Sequence, residues 1–190
     1  MDGSDYLSEY NPLWPHWFAE IAQYLQQKAG GSLRIEHVGS TSVVGMVAKP
    51  IIDIDVVVVP GRMAEVIEAL TRAGYLHQGD LGISGREAFG ADSEAVQSLP
   101  PHHLYACEEG AFELHKHLTF RDYLRAHSAE AQRLSDLKRK LAFQDRLSRT
   151  EYIDAKLPLV QEIASTALAW RDVTLQNPNE PSFLEPEIET

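Results

Sequence analysis

The sequence predicts an α+β fold: a short mixed sheet with helices on one face and a helical C-terminal part packed against it. Two observations support this. Along the chain the patterning runs from helix, through alternating strands and helices, to helices only. In the middle lies IIDIDVVVV, Ile51 to Val59, a nearly continuous apolar, β-branched run expected to be a strand buried on both faces.

Each element follows from local pattern. From Asn11 to Lys28, Trp14, Trp17, Phe18, Ile21, Tyr24 and Leu25 recur at three-and-four spacing, the mark of an amphipathic helix. Pro12 and Pro15 place its start and Gly30-Gly31 its end. Both tryptophans are expected in the packing. Leu33 to Val38 is a strand entering a Gly39-Ser40 turn, and Thr41 to Lys49 is a short helix or loop bounded by Pro50. After the central strand, Pro60-Gly61 turns the chain into a helix over Arg62 to Ala73, with Gly74 at its C-terminal end. Tyr75 to Gln78, Glu87 to Gly90 and His103 to Cys107 are shorter strands between glycine- and proline-rich turns. Helices are expected over His115 to His127, Ala129 to Gln144 and Ser148 to Trp170. The organisation expected is a core over residues 1–110, a helical subdomain over 111–172 and a flexible acidic tail over 173–190.

Composition narrows the function classes. The 190 residues suffice for one substantial core, and a net charge of −11 disfavours non-specific nucleic-acid binding, because phosphates would be repelled. A local basic cluster can still reverse the field inside one cleft. The single cysteine, Cys107, has no partner for an internal disulfide and is expected as a buried thiol. The N-terminus MDGSDYLSEY has no apolar core typical of a signal peptide, and no run is long enough to span a membrane, so the cytoplasm is the expected compartment. No Gly-x-x-x-x-Gly-Lys loop, Gly-x-Ser-x-Gly elbow or His-Glu-x-x-His helix occurs, which excludes kinase, serine hydrolase and zinc protease chemistry of those types. Tyr152 and Lys156 imitate the Tyr-x-x-x-Lys pair of short-chain dehydrogenases, but no dinucleotide fingerprint precedes them.

Asp53 and Asp55 alternate within the central strand and so share a face, roughly 7 Å apart. Two carboxylates on an apolar strand are costly unless neutralised. A divalent cation carrying a phosphorylated substrate would neutralise them; pairing of one with Lys49 is the alternative. Gly39-Ser40-Thr41 has the composition of a phosphate-binding turn and equally of a helix N-cap, and the same exposed amides serve both.

A Gly-Ser turn after one strand and an Asp-x-Asp on the next resemble the nucleotidyltransferase superfamily typified by DNA polymerase beta. The phrase IEHVGSTSVVGMVAKPIIDI, Ile35 to Ile54, more closely resembles the GrpB family, nucleotidyltransferase-like proteins also found fused to dephospho-CoA kinases. NPLWPHWF, GISGREAF, HHLYACEEG, HLTFRDYLRAH, LKRKLA and YIDAK agree in order, so the resemblance covers about residues 10–170. It implies a nucleotidyltransferase-like fold in which Gly39, Ser40 and Thr41 hold phosphate, while Asp53 and Asp55 bind magnesium or manganese. The reaction implied is nucleotidyl transfer from a nucleoside triphosphate to a small-molecule acceptor. Lys49 and Arg86 would offset charge, and His37, Tyr105, Arg121, Tyr152 and Lys156 complete the expected substrate-binding set. The superfamily's third acid has no counterpart in HHLYAC, so His103 is the candidate base. Two alternatives follow from that gap: a binding module that has lost catalysis, or an enzyme repurposed for another small-molecule reaction in the same cleft.

Overall fold

A computed structural model of the chain describes residues 7–30, 32–143 and 148–176. Five strands, β1 (Arg34–Val38), β2 (Ile52–Val58), β3 (Tyr75–His77), β4 (Arg86–Ala91) and β5 (His102–Glu108), form one sheet in the order β1-β2-β5-β4-β3. Only β2 and β5 run parallel; the other pairs are antiparallel. Parallel neighbours require a crossover. Helix α2 (Met63–Arg72), β3, β4 and the short α3 (Glu94–Gln97) provide it.

Strand β2 lies between β1 and β5, and its alternation suits two different surroundings. Ile52, Ile54, Val56 and Val58 are all at most 1% exposed and pack with Trp14, Ile21 and Leu25 of α1 (Trp14–Ala29) and Leu70 of α2. Burial of each such side chain stabilises the fold by roughly 1.5–3 kcal/mol. The alternate residues Asp53, Asp55 and Val57 face the other way. There α4 (Phe112–Ala126) lays Leu114 and Leu118 against Val38, Val57, Tyr105 and Cys107. Cys107 is fully buried, as expected of its thiol.

Helices α4, α5 (Ser128–Ala142) and α6 (Arg149–Gln176) make up the C-terminal part. Tyr123, Leu124, Ala131, Leu134, Ile163 and Ala167 enclose Val43 and Met46 in a second core. The helical part is therefore anchored on the loop that follows the Gly39-Ser40 turn. No helix among the described residues is long and apolar enough to cross a membrane.

Several boundaries differ from expectation. The segment after Gly39 is a single 3-10 turn, Ser40–Ser42, followed by loop, with Gly45 at φ +82° stopping a helix from propagating. Helix α3 was not expected; four residues are too few for any periodicity, and its signal is Ser93, whose Oγ accepts the Val96 amide. Helix α4 begins at Phe112, earlier than His115, and α6 continues through Pro158 to Gln176, beyond Trp170. Residues 177–190 of the expected tail lie outside the described residues.

Candidate functional site: a lysine-lined cavity beside the Gly-Ser turn

Gly39 makes the site possible. Its φ of +71° is a left-handed conformation, and a Cβ placed there would collide with Asp53 Oδ2, so a side chain is excluded on both counts. The turn backbone thereby lies directly against the carboxylate. Ser42 Oγ closes the turn by donating to Gly39 O at 2.6 Å. Arg125 of α4 donates from Nε and Nη2 to Ser42 O at 3.1 and 2.9 Å, tying the turn to the helical part.

The turn borders a cavity of about 220 Å3 lined by Ser40, Thr41, Lys49, Asp53, His103, Lys138, Tyr152 and Lys156, with Leu7, Ala48, Ile51 and Ile153 as its apolar patches. Three lysines thus face one carboxylate. Lys138 is the buried member. Its Nζ donates to Ser40 Oγ at 2.6 Å and to Val47 O at 2.9 Å. Burial, reinforced by the charge of Lys156 and opposed by Asp53, lowers the Lys138 pKa to about 7. With the Ser40 oxygen accepting from lysine, the hydroxyl proton is left to donate elsewhere. Lys49 and Lys156 lie 5.7 and 5.3 Å from the centre of the Tyr152 ring, which spaces the two ammonium groups along the cavity wall.

Asp53 is partly exposed and meets His103, its register partner on β5, through Oδ1···Nδ1 at 2.9 Å. The carboxylate can only accept, so Nδ1 is the donor and the ring orientation is fixed by Asp53.

Asp55 has a different environment. It is fully buried, and its Oδ2 accepts from His117 Nδ1 at 2.8 Å, while His117 Nε2 contacts Glu113 Oε1 at 3.1 Å. The Asp55 carboxylate can only accept, so Nδ1 donates to it, and the second anion beside Nε2 favours the imidazolium form. Burial alone would lower the His117 pKa, but the hydrogen bond to Asp55 and the charges of Asp55 and Glu113 outweigh it, and the pKa is raised. Lys116 Nζ covers the other oxygen of Glu113 at 2.7 Å. Asp55 Oδ1 is buried with no hydrogen-bond partner.

The expected site residues are therefore only partly brought together. Ser40, Thr41, Lys49, Asp53, His103, Tyr152 and Lys156 line the cavity, with Gly39 shaping its turn. Arg86, Tyr105 and Arg121 do not line it. Arg86 is buried on β4 with its guanidinium 4.5 Å over the Tyr105 ring, and its Nε has no partner. Arg121 spends Nη1 on Glu36 Oε2 at 2.8 Å and His37 O at 3.2 Å, and Nε on Asp122 at 2.8 Å. His37 points its Nε2 to Thr41 Oγ1 at 3.0 Å and stacks on Phe18 at 4.8 Å, on the far side of the turn.

Sequence reasoning missed Lys138 and His117. Lys138 had a signal: it shares a buried stripe of α5 with Leu134 and Leu141, where a lysine needs a partner. His117 carries no local signal, because its partner comes from a strand 62 residues away in sequence.

Comparison with known proteins places this geometry in context. The family described as GrpB protein matches residues 6–166. The chain is 36% identical over 168 residues to the UPF0157 protein BH1888 of Halalkalibacterium halodurans, covering 86% of this chain and 82% of that one. It is 35% identical over 167 residues to the UPF0157 protein YqkA of Bacillus subtilis, covering 85% of this chain but only 47% of YqkA. Among solved structures, a conserved protein GrpB from Enterococcus faecalis superposes with a TM-score of 0.74 at 33% identity, covering 87% of this chain and 98% of that one.

Proposed function

This chain belongs to the GrpB family, and on that premise we propose that its lysine-lined cavity holds the phosphates of a nucleoside triphosphate for nucleotidyl transfer to a small-molecule acceptor. The observation that carries the proposal is the convergence of Lys49, Lys138 and Lys156 on the Ser40 turn in a chain of net charge −11. A cavity with that charge, inside an acidic protein, selects a polyanion. The Ser40 hydroxyl and the lysine ammoniums would take phosphate oxygens, and charge neutralisation there would ease departure of pyrophosphate. His103, held by Asp53, would take the acceptor's proton.

The donor set for a divalent cation is small. Among the described residues no group of three or more histidine, cysteine, aspartate or glutamate side chains is arranged to hold a metal ion. Asp55 shares the strand face of Asp53 and keeps one oxygen, Oδ1, without a hydrogen bond, but it is fully buried, paired with His117 and absent from the cavity wall, so the two carboxylates do not meet there as a cation site. A magnesium or manganese ion would take Asp53 at the cavity, with phosphate oxygens and water as its other ligands. When bound it would supply charge neutralisation at the phosphorus under attack.

A binding role without turnover is the second reading, favoured by one specific observation: the β5 neighbours of Asp53 and Asp55 are His103 and Tyr105, so no carboxylate joins them from that strand, and Glu36, opposite Asp55 on β1, is held by Arg121 and Arg34. Calorimetry with a nonhydrolysable nucleoside triphosphate and magnesium, alongside transfer of labelled nucleotide to an acceptor panel, separates the readings. Binding lost in Lys138→Met together with transfer lost in Asp53→Asn is the expected pair. Binding without transfer leaves the module, and no binding at millimolar nucleotide ends both.

A further inference from the structure

On the other side of the 39–45 turn lies a second, larger cavity of about 700 Å3. Thr41 lines both cavities. That volume falls in the range of small-molecule sites. One wall is the parallel pair of rings from Phe18 and His37, 4.8 Å apart with an 11° interplanar angle. Val43, Val44 and Leu124 extend the apolar surface, and Val44 is 78% exposed although it is a large hydrophobe. His37 is uncharged at neutral pH, because burial and the nearby Arg125 and Arg121 charges, opposed by Asp53, lower its pKa to about 4.

Arg125 is then the one charged side chain among the described residues that line this cavity, and no carboxylate lines it. Its Nε and Nη2 are spent on Ser42 O. Its Nη1 is 4.0 Å from Asp122, whose Oδ1 is already taken by Arg121 at 2.8 Å. A single positive charge over a flat apolar wall, in an acidic protein, is complementary to a small ligand with one negative charge and a flat apolar body.

We propose that this second cavity binds a small aromatic or similarly flat monocarboxylic acid, its acid group at Arg125 and its body against the Phe18–His37 pair. The binding does not require nucleotide and stands apart from the phosphate cavity, so it survives even if the transferase reading fails.

Saturation-transfer NMR and calorimetry with naphthoate, naphthamide and naphthylmethylamine on the full chain test it. Naphthoate should bind most tightly and the amine least. Arg125→Gln should weaken naphthoate about tenfold. Val44→Glu, a change at an exposed position that adds an opposing charge, should weaken it comparably without unfolding the chain. Lys138→Met and added tripolyphosphate should leave naphthoate binding unchanged. Equal binding of acid and amine overturns the proposal, as does no binding of any probe. Naphthoate binding that is lost in Lys138→Met and indifferent to Val44→Glu would place the acid among the lysines and overturn it too.

Discussion

Asp53 and Asp55 leave β2 on one face, yet they occupy opposite kinds of surroundings. Asp53 borders an open cavity, meets a half-exposed histidine and lies near three lysines. Asp55 is sealed beneath α4 and is already matched by the His117 imidazolium. The same residue type, two positions apart, thus borders a cavity at one end of the face and fastens a helix at the other. What separates them is the covering element: α4 lays its apolar stripe over the Val57 end and leaves the Asp53 end uncovered. The electrostatic demand that suggested a metal ion is half met by protein.

The sharpest way to break this contrast is Asp55→Ala. It would leave a buried imidazolium with one carboxylate in place of two, and should cost about 3–5 kcal/mol in denaturant unfolding. Asp53→Asn, at a partly exposed site, should stay within about 1 kcal/mol. Similar losses at both positions would erase the distinction.

Gly39→Ala comes next. A left-handed φ and a collision with Asp53 should cost about 1–3 kcal/mol and disturb the cavity together.

Lys138→Met should weaken nucleoside triphosphate binding about tenfold or more while leaving the fold intact, because a methionine fills the volume and removes a buried charge. Unchanged affinity would detach the lysines from function.

Titration should divide the two ends by what each changes as pH rises, ligand affinity at one and fold stability at the other. Lys138 has a folded pKa of about 7, so the ammonium form that an anion prefers is fully present below that value. Above it, affinity for a fully ionised polyphosphate should fall, by at most about tenfold per pH unit, and Lys138→Met should flatten the profile. His117 has a raised pKa, so its stabilisation is fully present below the unfolded value of 6.5 and disappears as pH climbs through the higher folded value. Denaturant midpoints across that window, with His117→Gln as the flat control, measure it.

Much of this was legible in the sequence, for definable reasons. The β2 alternation, the glycine turn and the amphipathic α1 are local patterns, and each was placed to within a few residues. Asp53 and Ser40 stood out from the strand alternation and the turn composition, Lys49 as a candidate partner for the carboxylates, and the resemblance added Tyr152 and Lys156 to the expected set. What stayed hidden depended on contacts distant in sequence. Arg86 and Arg121 have the chemistry of phosphate ligands, but the fold gives them Tyr105, Glu36 and Asp122 instead. Lys138 meets Ser40 across 98 residues, and no spacing rule reaches that far.

The Lys138 to Ser40 bond has one more consequence. On the proposed function, recognition of phosphate would require atoms contributed by both parts of the chain, so an excised sheet unit would keep its turn and yet be blind to polyphosphate. Sensing the ligand and docking the C-terminal helices would then be a single event, and a bound triphosphate should act as a clamp that slows separation of the two parts.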